Sequence, residues 1–212
     1  MLETESASEH RNRPQACLQQ LVSHTLSPCP ERRVIIDEHA SRIKTVEVLA
    51  ALLPDSGTVP NNPRLPLLLY KQAVDLPRVE APEVFEDVFT AHGWPAAWRN
   101  GIYDYHHYHS TAHEALGVYA GSATALMGGE GGVEVTVERG DVVIIPAGVG
   151  HKCLKRSEDL AIVGAYPLNT APDLKTGEPE ERPACFDAIF KVAVPPLDPL
   201  YGEGGPMAEH WR

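Results

Sequence analysis

Residues 101–121 read GIYDYHHYHSTAHEALGVYAG, and residues 140–151 read GDVVIIPAGVGH. His107, His109, His113 and Glu114 fall within eight residues of the first stretch, and His151 closes the second. His107 and His109 are two apart, so on a strand both side chains point to one face. Glu114 returns to that face if the chain bends around residues 110–112. His151 follows Pro146-Ala147-Gly148, a turn that ends one strand and delivers a side chain inward. Neutral imidazoles and one carboxylate suit a borderline divalent ion: iron, manganese, nickel, cobalt or zinc. His107, His109, Glu114 and His151 would leave one or two positions for water or substrate, which makes the site chemically open. A bulge at Ser110-Thr111 would exchange His113 for Glu114 on the inner face.

The neighbours of these residues sort by the same parity. Tyr103 and Tyr105 share the face of the two histidines and should line the same cavity. Tyr105 and His113 are the candidates for handling a proton there, against the plainer roles of aromatic filling and core packing. His106 lies between inward positions and points away. Leu116 and Val118 share the parity of Glu114 and are expected to form an apolar wall, which favours a substrate with aromatic or alkyl bulk over a sugar phosphate. Cys153 follows His151 closely and reads as a buried, inert thiol. Trp94, Trp98, Arg99 and Asn100 are expected to cap the barrel end, and Asn61 and Asn62, between prolines, to make turns.

Outward from the two stretches, short apolar runs alternate with glycine and proline. Strands are expected at 34–36, within 43–53 and at 67–70. A hairpin turns at 128–132, with Val133, Val135 and Val137 on one side and Glu134, Thr136 and Glu138 on the other. DVVIIP and DLAIVGAYP are near-continuous apolar runs, as in strands covered on both faces. Residues 80–92 form the best helix, with Val84, Phe85, Val88 and Phe89 at helical spacing and Gly93 closing it. A short helix is expected at 185–192, and an amphipathic piece at 15–26 can make another. The reading is all-β: a single domain over 45–212, its core barrel about 98–167, with residues 1–44 as an N-terminal extension or arm.

Bulk properties agree with this and exclude other classes. A hydrophobic share of 43% and a charged share of 22% are those of a soluble globular chain. A formal charge of -11 argues against nucleic acid or an anionic membrane as partner. Nineteen prolines and seventeen glycines favour turns over long helices. Cys17, Cys29, Cys153 and Cys185 form no CxxC pair, so neither a disulfide framework nor a zinc-thiolate site is expected. The polar start MLETESASEHRNRPQ does not read as a targeting signal, and a cytoplasmic protein is expected.

These motifs resemble those of the cupins. Gly101, five residues, His107, one residue, His109, four residues, Glu114, six residues and Gly121 match the first cupin motif in full. Gly140, five residues, Pro146, one residue, Gly148, two residues and His151 match the second, which then departs at Lys155, where asparagine is usual. PNNPRLPLLLY, GWPAAWRNGIY, HKCL, VGAYP and DPLYGEGGP are similar to the YjlB-like cupins of bacteria and fungi, over roughly residues 45–212. The resemblance implies a jelly-roll barrel of six to eight strands and one divalent metal ion on His107, His109, Glu114 and His151. Its spacing selects Glu114 over His113. It implies no particular reaction. The expectation is a metal-dependent enzyme on a small organic substrate: an oxygenase with iron, or an isomerase, decarboxylase or lyase with a redox-silent metal. The alternative is a non-catalytic cupin that binds a metal or small molecule. By analogy with cupins that pair through strand edges, a homodimer is expected.

Overall fold

The structure is a computed structural model that describes residues 38–212. The expected strand at 34–36 and helix at 15–26 lie outside the described residues. The strands are β1 (Val48–Ala51), β2 (Leu67–Tyr70), β3 (Ala96–Asn100), β4 (Glu114–Ala120), β5 (Ser122–Met127), β6 (Val133–Glu138), β7 (Val142–Ile145), β8 (His151–Arg156) and β9 (Ala161–Ala165). The helices are α1 (Ala81–Ala91), α2 (Arg182–Lys191) and α3 (Pro206–His210). One sheet runs β1-β2-β7-β4-β9-β3 and the other β6-β5-β8, with neighbours antiparallel throughout. The chain is thus an all-β jelly-roll barrel with a few short peripheral helices. Its larger sheet begins well before residue 98, because β1 and β2 complete it.

Strand alternation divides the core in two. Leu116 and Val118 of β4 face the barrel interior, where they meet Leu67, Val143 and Ile162 from their own sheet and Ala125, Met127 and Cys153 from the other. Ala115 faces outward beneath Val84, Phe85, Val88 and Phe89 of α1. This double cover is why β7 and β9 read as unbroken apolar runs. At Gly117 an added Cβ would come within 2.6 Å of the Phe85 ring, so the missing side chain lets α1 sit directly on β4. Each fully buried phenylalanine or valine of α1 contributes roughly 1.5–3 kcal/mol.

The C-terminal segment completes the outer layer. Buried Asp198 accepts hydrogen bonds from Tyr70 Oη (2.6 Å) and from the N–H groups of Leu200, Tyr201 and Met207. Trp211 donates from Nε1 to the Pro66 carbonyl (2.8 Å). Among the described residues no helix is long and apolar enough to cross a membrane.

Candidate metal centre

Three pieces of chain deliver the four motif residues to one end of the barrel: His107 and His109 share one, Glu114 opens β4 and His151 opens β8. His107 and His151 exchange both backbone hydrogen bonds, at 3.2 and 2.9 Å. Tyr108 does the same with Lys175, so residues 107–108 form bridges rather than the regular strand expected there. Glu114 opens β4 on the interior face, beside Leu116. The turn before His151 is pinned by two asparagines. Asn61, at φ 54°, donates to the carbonyls of Pro54 (2.6 Å) and Gly128 (2.9 Å) and accepts from the Gly150 N–H (3.2 Å). Asn62 donates to the Ala147 carbonyl (3.0 Å). Both go beyond the local turn chemistry expected of them.

All four residues are buried, at 5, 9, 2 and 2% exposure for His107, His109, Glu114 and His151. Glu114 Oε2 has no hydrogen-bond partner. It lies 3.5 Å from His109 Nε2 and 3.4 Å from His151 Nε2, in electrostatic contact but outside hydrogen-bond geometry. His109 Nδ1 bonds to the Asp173 carbonyl, and His151 Nδ1 lies 3.3 Å from the Val149 carbonyl. A ring nitrogen facing a carbonyl must donate, so in the neutral form of either ring the Nε2 lone pair faces the carboxylate. The His107 ring centroid is 4.0 Å from that of His151 and 5.7 Å from that of His109.

The electrostatics follow from this crowding. Burial alone would raise the Glu114 carboxyl, but the imidazoles beside it hold it well below the usual carboxylate range. Burial works against protonating His109, yet the Glu114 carboxylate outweighs it and the ring shifts upward. His107 is pushed down to about 3, by burial first and by His151 second.

Among the described residues, no group of three or more His, Cys, Asp or Glu side chains stands, as placed, where it could hold a metal ion. Two spacings within the set, from Glu114 Oε2 to His109 Nε2 and to His151 Nε2, are nevertheless compatible with a shared ion. Ligand atoms at about 2.0–2.2 Å from one metal stand about 3–3.5 Å from each other, which is the spacing of the carboxylate oxygen from its two nitrogens. An orphaned carboxylate oxygen facing two lone pairs is otherwise costly to bury.

A cavity of about 330 Å³ opens above these atoms. Its walls include Trp98, Ile102, Tyr103, Leu116, Tyr166 and Leu174, and among the described residues no lysine or arginine lines it. Several expectations need correcting here. His113 is not in the cavity. It precedes β4 with the opposite parity to Glu114, its ring packs 4.7 Å from Trp211, and its Nδ1 accepts from the Ala147 N–H (2.9 Å). Burial pushes it down to about 4, which keeps it neutral. Tyr105 is also outside the lining: it is 42% exposed and stacks on Tyr103, with centroids 5.0 Å apart. Val118 lies deeper in the core, while Trp98 and Asn100 line the cavity instead of capping the barrel. Arg99 pairs with Glu83 and Glu86 of α1, and Trp94 is buried in the outer core.

The sequence reading missed Tyr166 and Asp173. Tyr166 Oη accepts from Trp98 Nε1 (3.1 Å), and burial, then the Glu114 charge, push its phenol upward. The Asp173 carboxylate takes the N–H and hydroxyl of both Ser110 and Thr111, while its carbonyl orients His109. The alternation in AIVGAYP was the available signal for Tyr166. Nothing local marked Asp173.

No family model matches the chain. The protein YjlB of Bacillus subtilis (strain 168), described as uncharacterized, is 39% identical over 165 residues, which span 78% of this chain and 97% of that one. The chain belongs to the YjlB-like cupins. Solved structures similar to this YjlB-like cupin include a DUF861-family protein from Thermotoga maritima, 20% identical over 42% of this chain and 92% of that one, with a TM-score of 0.27. Another is RmlC from Streptococcus suis in complex with dTDP-D-xylose, 13% identical over 79% and 93%, with a TM-score of 0.31. Likenesses of this size carry no argument about what the YjlB-like cupin binds.

Proposed function

We propose that this protein is a metalloenzyme whose single divalent ion is held by His107, His109, Glu114 and His151 and which acts on a small organic molecule. The observation that carries the reading is Glu114 Oε2, which is buried, without a hydrogen bond, and faced by two imidazole nitrogens whose opposite ring atoms are turned to carbonyls. A bound iron would supply dioxygen activation, and a redox-silent ion would supply Lewis-acid polarisation of a carbonyl. The protein's own part is separate: Asp173 and Asn61 fix the ligands, and the aromatic wall excludes water. The cavity is at the small end of ligand pockets, which suits a single-ring or short alkyl substrate.

The test is elemental analysis of wild type and His107→Ala, both purified untagged and without chelators. Close to one equivalent of metal in wild type, lost in the variant, supports the site. Iron would direct assays to oxygen consumption, and zinc, manganese, cobalt or nickel to isomerase and decarboxylase activity. Less than a tenth of an equivalent in wild type overturns the metalloenzyme reading.

A further inference from the structure

Trp98 and Gly164 are cross-strand partners on β3 and β9. A Cβ at position 164 would come within 2.0 Å of the Trp98 indole, so the ring lies flat over the glycine. This placement carries Nε1 to within 3.1 Å of Tyr166 Oη. An indole N–H can only donate, so the phenol oxygen accepts and its own hydrogen must point elsewhere. Tyr166 lines the cavity beside His109, with ring centroids 5.5 Å apart at 86°, and its hydroxyl faces the Glu114 carboxylate, the acceptor that a substrate oxygen would replace. Among the described residues, no Lys, Arg, Ser or Thr side chain lines the cavity. Asn100 accepts from the Gly101 N–H through its side-chain oxygen (2.9 Å) and keeps its amide donors at the rim, and Tyr103 is half exposed, whereas Tyr166 Oη is fixed by the indole.

We propose that Trp98 and Tyr166 form a substrate subsite in which Tyr166 donates its hydrogen to the oxygen of an uncharged aromatic ketone, enol or phenol. The indole fixes the direction of that donor and supplies a flat surface for the ring. With no metal bound, dianions such as phosphate esters are disfavoured, because the cavity holds the Glu114 carboxylate and, among the described residues, no lysine or arginine to offset a second charge. This deepens the reading of the cavity as the reaction site and rests on it, but the subsite's hydrogen bond does not need the metal.

The experiment is calorimetric titration with acetophenone, ethylbenzene and phenyl phosphate, on protein as purified and after dialysis against a chelator. Wild type should bind acetophenone about five- to tenfold tighter than ethylbenzene, with phenyl phosphate weakest on the dialysed protein. Tyr166→Phe keeps the ring and removes only the hydroxyl, so it should bring acetophenone to within about twofold of ethylbenzene. Trp98→Phe should reduce the preference by a smaller factor. An unchanged preference in Tyr166→Phe, binding of phenyl phosphate to the dialysed protein tighter than that of acetophenone, or no acetophenone binding to wild type overturns the subsite. Because the dialysed protein reports on the subsite alone and elemental analysis on the ligands alone, either reading can fail without the other.

Discussion

His107 and His151 face each other as a bonded pair: they exchange both backbone hydrogen bonds, and their ring centroids lie 4.0 Å apart. Directly opposed residues of an antiparallel pair share a face. The bridge therefore fixes two of the four proposed ligands relative to each other, and a slip of one residue would turn one ring away. Glu114 and His109 are fixed by other means, β4 and the Asp173 segment, so the site can be dismantled one support at a time.

Removing the carboxylate should separate metal binding from folding. Glu114→Gln keeps the shape and loses the negative oxygen between His109 and His151. Zinc added at about a hundred times its dissociation constant should stabilise dialysed wild type by about 2.7 kcal/mol, a rise in Tm of about 5–10 °C. Glu114→Gln should show less than a third of that rise at the same zinc concentration. An equal rise in both proteins would remove Glu114 from the ligand set.

Asp173 should act through His109. Its carboxylate gathers the N–H and hydroxyl groups of Ser110 and Thr111, and its carbonyl sets which His109 nitrogen carries the proton. Asp173→Ala is expected to weaken metal affinity by about 10- to 100-fold, as loss of a ligand's support does. Asp173→Asn, which retains one acceptor oxygen, should lose less. Competition titration against a chelating dye measures both, and an unchanged affinity in Asp173→Ala would show that His109 is oriented without it.

These supports mark the limit of what the sequence could show. The histidines and glutamate were legible because their spacing is local and strand parity carries them to one face. His113 was ambiguous for the same reason: only the start of β4 at Glu114, without an intervening bulge, turns it outward under Trp211. Tyr166 and Asp173 reach the site from β9 and the segment after it, through pairings that no short-range pattern encodes. Trp98 looked like a cap because its partner, Gly164, is the residue that gives the indole room. The strands themselves were easier, since β7 and β9 are buried on both faces and carry no polar residue to blur the run.

The outward position of His113 gives a pH test. Its folded-state value is about 4 against 6.5 for the free side chain, so the unfolded chain binds the proton more readily. The stability that its neutral ring contributes is therefore complete above pH 6.5 and is lost as the pH falls toward 4, by up to about 3 kcal/mol. His113→Asn keeps an acceptor for the Ala147 N–H but cannot be protonated there. In the presence of chelator, denaturant unfolding of the variant should show a flatter pH dependence between 6.5 and 4 than wild type. The variant's stability at pH 7.5 should be lower, because the contact with Trp211 is lost. Parallel pH profiles would place the titrating group elsewhere.

The outer layer should be separable from the site. Phe85→Ala removes the ring that lies on Gly117 and should cost about 3–5 kcal/mol. Gly117→Ala should cost about 1–3 kcal/mol by overpacking against the same ring. Because the two changes oppose each other at one contact, the double variant should be more stable than the sum of the single losses predicts. Metal content per folded protein should be unchanged in all three, since Gly117 and Phe85 lie on the outer face of β4. Additive losses in a thermodynamic cycle would show that helix and strand are not in contact there.

Asn61 links stability to the site most directly. Its side chain satisfies two carbonyls and the Gly150 N–H from a left-handed backbone position, where asparagine is better tolerated than most residues. Asn61→Ala would leave those groups buried without partners, and Asn61→Gly would relieve only the backbone strain. The alanine variant should lose about 2–4 kcal/mol, and the glycine variant somewhat less. Both should loosen the turn that carries His151, so metal affinity should fall even at temperatures where each variant is fully folded. Measuring dye-competition affinity well below the Tm distinguishes the two effects: a weaker metal site in a folded variant assigns Asn61 to the positioning of His151, and an unchanged one confines it to stability.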